Sequence, residues 1–256
     1  LKKNPSGKRR LGSLFMEFDR FPELQSLCES KAITLANAMN TAWALVLRSY
    51  TGSDDVCFGD LSAGRDAPVN GIQEAVGVFI NMLCCRVKFS SSQSLDDVLL
   101  KVKEDYLASV PHQRCSLAQV QHELGLPGEM LFNTALSVQN HAPWKDSEQE
   151  ELTFKMEMAH DPSEVSKQLH LFYFNDFDMT NRTQYVVTIN VEATRNHEAV
   201  VFRYWTDIIS DDQASKLAGA MADVLSDFLD RPGQKILQRN LLDEPIGQHP
   251  NRQPKG

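Results

Sequence analysis

The feature that most constrains this chain is a stretch, Thr34 to about Ser49, that is helical in period yet apolar nearly all round. Leu35, Ala38, Met39, Ala42, Leu45 and Val46 follow the helical spacing, while Trp43, Ala44 and Leu47 fill the other side. A surface helix keeps one polar face, so a helix without one is buried between layers. Thr34 supplies the N-cap, and Thr51-Gly52-Ser53-Asp54 supplies the stop and turn.

The neighbouring segments supply those layers. Phe21 to Cys28 reads as a short helix entered through Pro22, whose missing N–H costs nothing in a first turn. Val56 to Gly59 reads as a strand, and Gly64-Arg65-Asp66 with Pro68 as a loop. Phe79 to Val87 is a continuous apolar run, the pattern of a strand covered on both faces. Ser94 and Asp97 resemble a capping box, followed by the amphipathic stripe Leu95, Val98, Leu99, Val102, Tyr106 and Leu107. Ser116 and Gln119 open a shorter helix that ends at Gly125.

The second half changes rhythm. Leu131 to Gln139 is strand-like, and Leu152, Phe154, Met156 and Met158 alternate with polar residues at a period of two. Further strands are expected around Leu169 to Phe174, Tyr185 to Val191 and Val200 to Trp205. Asp211 and Asp212 are expected to cap a closing helix carrying Leu217, Ala218, Met221, Val224, Leu225 and Phe228. The pattern gives an α/β fold, a two-layer sandwich with a mixed sheet and packed helices. Residues 1–13 are polar and expected as a flexible arm, 14–230 as the domain, and 231–256 as an exit linker.

Charge and composition exclude several functions. Hydrophobic residues are 42% and charged residues 23% of the chain, which is globular rather than disordered composition. The net charge of −8, from 34 acidic and 26 basic residues, lacks the basic footprint of a nucleic-acid binder. No stretch approaches the ~20 apolar residues of a membrane span, and no signal-peptide pattern opens the chain, so a cytoplasmic setting is expected. The sequence opens on Leu1 and reads as a piece of something longer. The five cysteines, Cys28, Cys57, Cys84, Cys85 and Cys115, have no C-x-x-C spacing and are expected as reduced thiols, mostly buried.

A complete catalytic set does not emerge. There is no G-x-S-x-G elbow, no H-E-x-x-H, no glycine-rich phosphate cradle and no P-loop lysine. The seven histidines are scattered, so no catalytic residue and no metal site are assigned. Cys84 lies inside the Phe79–Val87 run, where burial is expected to raise its pKa and leave it inert. One dense segment remains, Val76-Gly77-Val78-Phe79-Ile80-Asn81-Met82-Leu83-Cys84-Cys85-Arg86-Val87. Gly77 permits close backbone approach, and Asn81 places a donor and an acceptor at the mouth of an apolar strand.

That segment resembles the fifth motif of nonribosomal peptide synthetase condensation domains, roughly [IV]-G-x-F-[VI]-N-T-x-x-x-R. Thr34–Gly59, with Ala42-Trp43-Ala44-Leu45-Val46-Leu47-Arg48, is similar to the family's long helix and following strand, especially in fungal synthetases. Ser62-Ala63-Gly64-Arg65-Asp66 matches the connecting loop, His112-Gln113 and Leu117 to Leu124 the sixth motif region, and Leu131 to Asn140 the strand after it. Met82 stands where the motif usually has Thr. The family's H-H-x-x-x-D-G motif is absent from the sequence.

The resemblance implies one lobe of a chloramphenicol acetyltransferase-like (CoA-dependent acyltransferase) fold, the C-terminal lobe of a condensation domain. In an intact synthetase that domain forms amide bonds between acyl and aminoacyl thioesters. Both are held on peptidyl carrier proteins by phosphopantetheine; no cofactor is expected on the chain itself. The implied partners are the N-terminal condensation lobe, the carrier proteins and an adenylation domain after residues 231–256. Gly77, Asn81, Ser137 and Gln139 are the candidates for the tunnel wall, and Arg65 for a contact with the other lobe's motif aspartate. A lobe of this kind is expected to be inactive alone and able to self-associate through its exposed inter-lobe face. Two alternatives stay open: a naturally truncated docking or structural module at a synthetase N-terminus, and an acyltransferase of the same fold acting on a soluble thioester.

Overall fold

In a computed structural model, residues 10–65, 69–72, 74–140, 185–193 and 198–236 are described. The strands expected at 152–158 and 169–174, and Asp66 and Pro68 of the loop, lie outside these residues. Six strands form one sheet: β1 (Leu11–Met16), β2 (Asp55–Ser62), β3 (Asn81–Lys88), β4 (Thr134–Asn140), β5 (Val187–Ala193) and β6 (Glu198–Trp205), in the order β1-β6-β5-β4-β2-β3. β4 runs parallel to β2 and β5, and the other pairings are antiparallel, so the sheet is mixed as expected.

The helices among the described residues are α1 (Phe21–Ser30), α2 (Leu35–Thr51), α3 (Leu95–Ser109), α4 (Leu117–Glu123) and α5 (Asp211–Asp230), with a 3-10 turn at Val110–His112. The all-round apolar helix is α2. Thr34 accepts from the Asn37 N–H at 3.1 Å while Asn37 reaches back to the Thr34 N–H, and Gly52 closes the helix at φ +68. It lies against β2 and β4 on one side and α1, α3 and α5 on the other. Trp43 is the centrepiece of the core. Its ring meets Phe202 edge-on at 6.0 Å between centroids, and its indole N–H donates to Thr134 Oγ1 at 3.0 Å. A buried indole leaves no polar atom unpaired only when such a partner exists.

Alternation then sorts the sheet residues. Val56, Phe58 and Asp60 of β2, Leu136 of β4, Ile189 of β5 and Phe202 of β6 face the helices. Cys57, Gly59, Ala135, Ser137, Asn190 and Val201 occupy the second face. There Phe132, Ala135 and Tyr185 form a smaller apolar cluster joined by Cys57 and Met82. Phe132 and Tyr185 stack at 5.8 Å with 22° between planes.

Several sequence expectations need correction. Leu11, Gly12 and Ser13 are not arm but the start of β1, paired with Trp205, Tyr204 and Arg203. β3 is not covered on both faces. It is an edge strand paired only with β2 among the named strands, and only Val87 is buried along it. A continuous apolar run does not distinguish a central strand from an edge strand. The thiols follow: Cys28 is buried, Cys84 is exposed and the other three are half-buried.

The cap of α5 is Ser210, with Gln213 completing the box, while Asp211 and Asp212 sit in the first turn, where they complement the helix dipole. Residues 232–236, expected as the start of a linker, pack against the domain instead. The Leu95 and Asp96 N–H groups donate to the carbonyls of Gln234 and Pro232, and Ile236 is buried. These carbonyls serve the open N-terminus of α3. Arg20, just before α1, donates from both guanidinium branches to Asp230 at 2.9 Å and also holds Glu23, tying the start of one helix to the end of another.

Candidate functional site

The motif segment is approached through a loop that folds back on itself. Gly64 has φ +66, and a Cβ there would lie 1.9 Å from the Phe79 carbonyl oxygen, so only glycine fits. Arg65 donates from Nη1 to the Ile72 carbonyl at 2.5 Å and the Ala75 carbonyl at 2.9 Å. Its guanidinium also lies 4.5 Å from the centre of the Phe79 ring. Arg65 therefore braces residues 72–79 from within. Gly77 is exposed on this loop, between the fully exposed side chains of Val76 and Val78.

Asn81 begins β3. Its Nδ2 donates to the Gln113 carbonyl, and its Oδ1 accepts from the Met82 N–H at 3.0 Å. Both functions of the amide are thus used to fix the strand end against the turn before α4. Asn81 pairs with Ser62, and Ser137 pairs with Leu61. Since Ser62 and Leu61 point to opposite faces of β2, Asn81 stands on the helix side of the sheet and Ser137 on the other.

The four tunnel candidates therefore do not converge on one face. Ser137 and Gln139 share the second face. Ser137 is buried, at 6% exposure, and its Oγ has no hydrogen-bond partner among the described residues, whereas Gln139 is exposed. Beside them in register stand Asn190 and Glu192 of β5, and Arg203 of β6 feels the charge of Glu192. These three polar positions were missed by the sequence reading. The signal was present as strict alternation in Val187-Thr188-Ile189-Asn190-Val191-Glu192, which marks every second residue as belonging to a less apolar face.

Two titrating groups stand out, and one of them, Cys84, differs from expectation. Asp60 lies on the helix side at 7% exposure; burial pushes its carboxyl up to about 6, against a hydrogen bond from Asn40 that favours the charge. Cys84 is not raised. The neighbouring Cys57 thiol holds its pKa below the ordinary thiol range, with burial opposing, while Cys57 itself is shifted up. Cys28 is pushed up to about 11 by burial. No group of three or more metal-ligating side chains comes together among the described residues. No helix among them is long and apolar enough to cross a membrane.

The sequence model of the condensation domain family matches residues 8–247. Nonribosomal peptide synthetase 1 of Aspergillus fumigatus is 48% identical over 92% of the chain, and nonribosomal peptide synthetase 4 of Gibberella zeae is 46% identical over 89%. The chain spans 3% of the length of each of these curated relatives. Among solved structures, a four-domain nonribosomal peptide synthetase superposes with a TM-score of 0.67 at 15% identity, covering 91% of the chain and 18% of the synthetase. The condensation domain of the monacolin K polyketide synthase superposes with a TM-score of 0.65 at 14% identity, covering 91% of the chain and 51% of that domain. At these identities the superpositions speak for the fold, which is that of about half a condensation domain.

Proposed function

Because the chain belongs to the condensation domain family, we propose that it is the C-terminal lobe of such a domain in a fungal-type nonribosomal peptide synthetase. The observation that carries the reading is the family match across residues 8–247 by a chain that covers about half of a solved condensation domain. In the intact synthetase the lobe contributes to amide-bond formation between an acyl and an aminoacyl thioester, each on a peptidyl carrier protein, in the cytoplasm. The sequence has no H-H-x-x-x-D-G motif, so the proton-handling group at the reacting amine comes from the N-terminal lobe.

What this chain supplies is orientation. Ser137 and Gln139 present hydroxyl and amide groups, with no titratable group of their own, on the sheet face opposite α2. A phosphopantetheine arm carries two amides, and an orphaned buried hydroxyl such as Ser137 Oγ suits the hydrogen bonding of such a group. Asn81 acts by fixing the strand end against Gln113, and Gly77 leaves the preceding loop without a side chain where an arm passes. Arg65 holds the loop from inside, and the positive charge it places there is the basis for a contact with the other lobe. A downstream adenylation domain follows residues 231–256 in this reading.

The test supplies donor-loaded and acceptor-loaded carrier proteins to the 256-residue chain and follows the dipeptidyl thioester. The expected result is no product above the carriers alone. Sustained turnover by the chain alone would overturn the reading.

A further inference from the structure

β2 and β3 bring two cysteines onto the sheet face away from α2. Cys84 stands opposite Gly59 and Cys57 opposite Arg86, which makes the two thiols diagonal neighbours on one face of an antiparallel pair. Diagonal side chains on one face lie within each other's reach. Cys84 is exposed, on an edge strand, and the residue directly across from it has no side chain. Cys57 is half-buried beneath it beside Met82 and Phe132. Nothing in the amide-forming role uses either thiol.

We propose that Cys57 and Cys84 form a thiol pair that takes small-molecule disulfides, of which glutathione disulfide is the chemical type. The Cys84 thiolate attacks one sulfur of the small disulfide; its S–S bond breaks, a protein mixed disulfide forms, and one glutathione leaves as thiolate and is protonated by water. Cys57 then gives its proton to solvent and attacks the Cys84 sulfur, expelling the second glutathione. In balance, two protein thiols are oxidised to one disulfide and one glutathione disulfide is reduced to two glutathiones. Exposure on the edge strand selects Cys84 as the attacking thiol, and the neighbouring Cys57 thiol holds its pKa down. Diagonal residues of an antiparallel pair lie about 7–8 Å apart, beyond the usual Cα span of a disulfide. Closure therefore requires the edge strand β3 to shift toward β2, and the strained bond is readily reduced, which makes the modification reversible. The proposal is independent of the condensation reading and stands if that reading fails.

The experiment exposes the 256-residue chain to glutathione disulfide, traps free thiols with N-ethylmaleimide at intervals, and maps each cysteine by mass spectrometry. Cys84 is expected to react first and to appear next in a Cys57–Cys84 disulfide that glutathione reverses. Cys57→Ala is expected to stop at the mixed disulfide on Cys84 and to slow its formation about threefold or more. Cys57→Ser keeps a hydrogen-bond donor, so it retains the rate at Cys84 while still preventing closure; circular dichroism verifies that both variants fold. Equal reaction at half-buried Cys115, or a wild-type chain that stays at the mixed disulfide, would overturn the proposal.

Discussion

The side-chain amide of Asn81 donates to the main-chain oxygen of Gln113, joining the first residue of β3 to the turn that enters α4. The second motif region of the sequence is thus anchored on the first through one side chain. Asn81→Ala is expected to lower stability by about 1 kcal/mol. Asn81→Asp should cost more, because it sets an acceptor against a carbonyl. Urea midpoints of the two variants check this, and the order Asp below Ala below Asn is the distinguishing result.

Asp60 makes stability depend on pH in the direction opposite to a paired surface carboxylate. Its carboxyl ionises near 6 in the folded chain against an ordinary 3.8, so the folded state holds the proton more tightly. The contribution of Asp60 to stability is therefore greatest below about pH 4, falls as pH rises toward 6, and is level above that. The total is on the order of 3 kcal/mol. Asp60→Asn is expected to flatten this slope and to melt higher than wild type at pH 8, which thermal unfolding from pH 4 to 8 measures.

Gly59 is held to glycine by its neighbours rather than by its backbone. A Cβ there would lie 2.6 Å from the Phe132 ring and 2.7 Å from Met82 Sδ. Gly59→Ala is expected to destabilise by about 1–3 kcal/mol. Met82→Ala in the same chain should recover part of that loss, and a double-mutant cycle from denaturant curves reads the coupling.

Trp43 and Thr134 share one buried hydrogen bond, so either single change leaves a group unpaired. Trp43→Phe and Thr134→Val are each expected to cost at least about 1–2 kcal/mol, and the double variant less than their sum. Additive losses would show that the bond contributes nothing.

Gly64 can be tested through its neighbour. Gly64→Ala places a methyl on the Phe79 carbonyl, opens the loop and releases Arg65 from Ile72 and Ala75. Trypsin is then expected to cut after Arg65 several-fold faster, with the rest of the digestion pattern unchanged.

The helical layer was legible in the sequence because it was over-determined. Thr34, Ser94 and the apolar period of α2 each announce a boundary or a face by local chemistry. The edge position of β3 was not legible, since the residues that fail to cover it are far away in sequence. Ser210 was passed over as a cap for the two carboxylates beside it, although its hydroxyl reaches the Gln213 N–H. For the site, the motif pointed to Asn81 and Gly77, but only strand register separates Asn81 from Ser137 across the sheet. Register arises from long-range pairing and leaves no local mark.

That long-range pairing has a kinetic consequence. Among the described strands β1 pairs with β6 alone, and the Arg20–Asp230 clamp joins residues 210 positions apart. During synthesis the first strand of the described fold is made before the strand it pairs with, which keeps its backbone groups open while most of the chain emerges. Folding is therefore late and high in contact order, and the newborn chain spends that interval with an edge that other chains can capture.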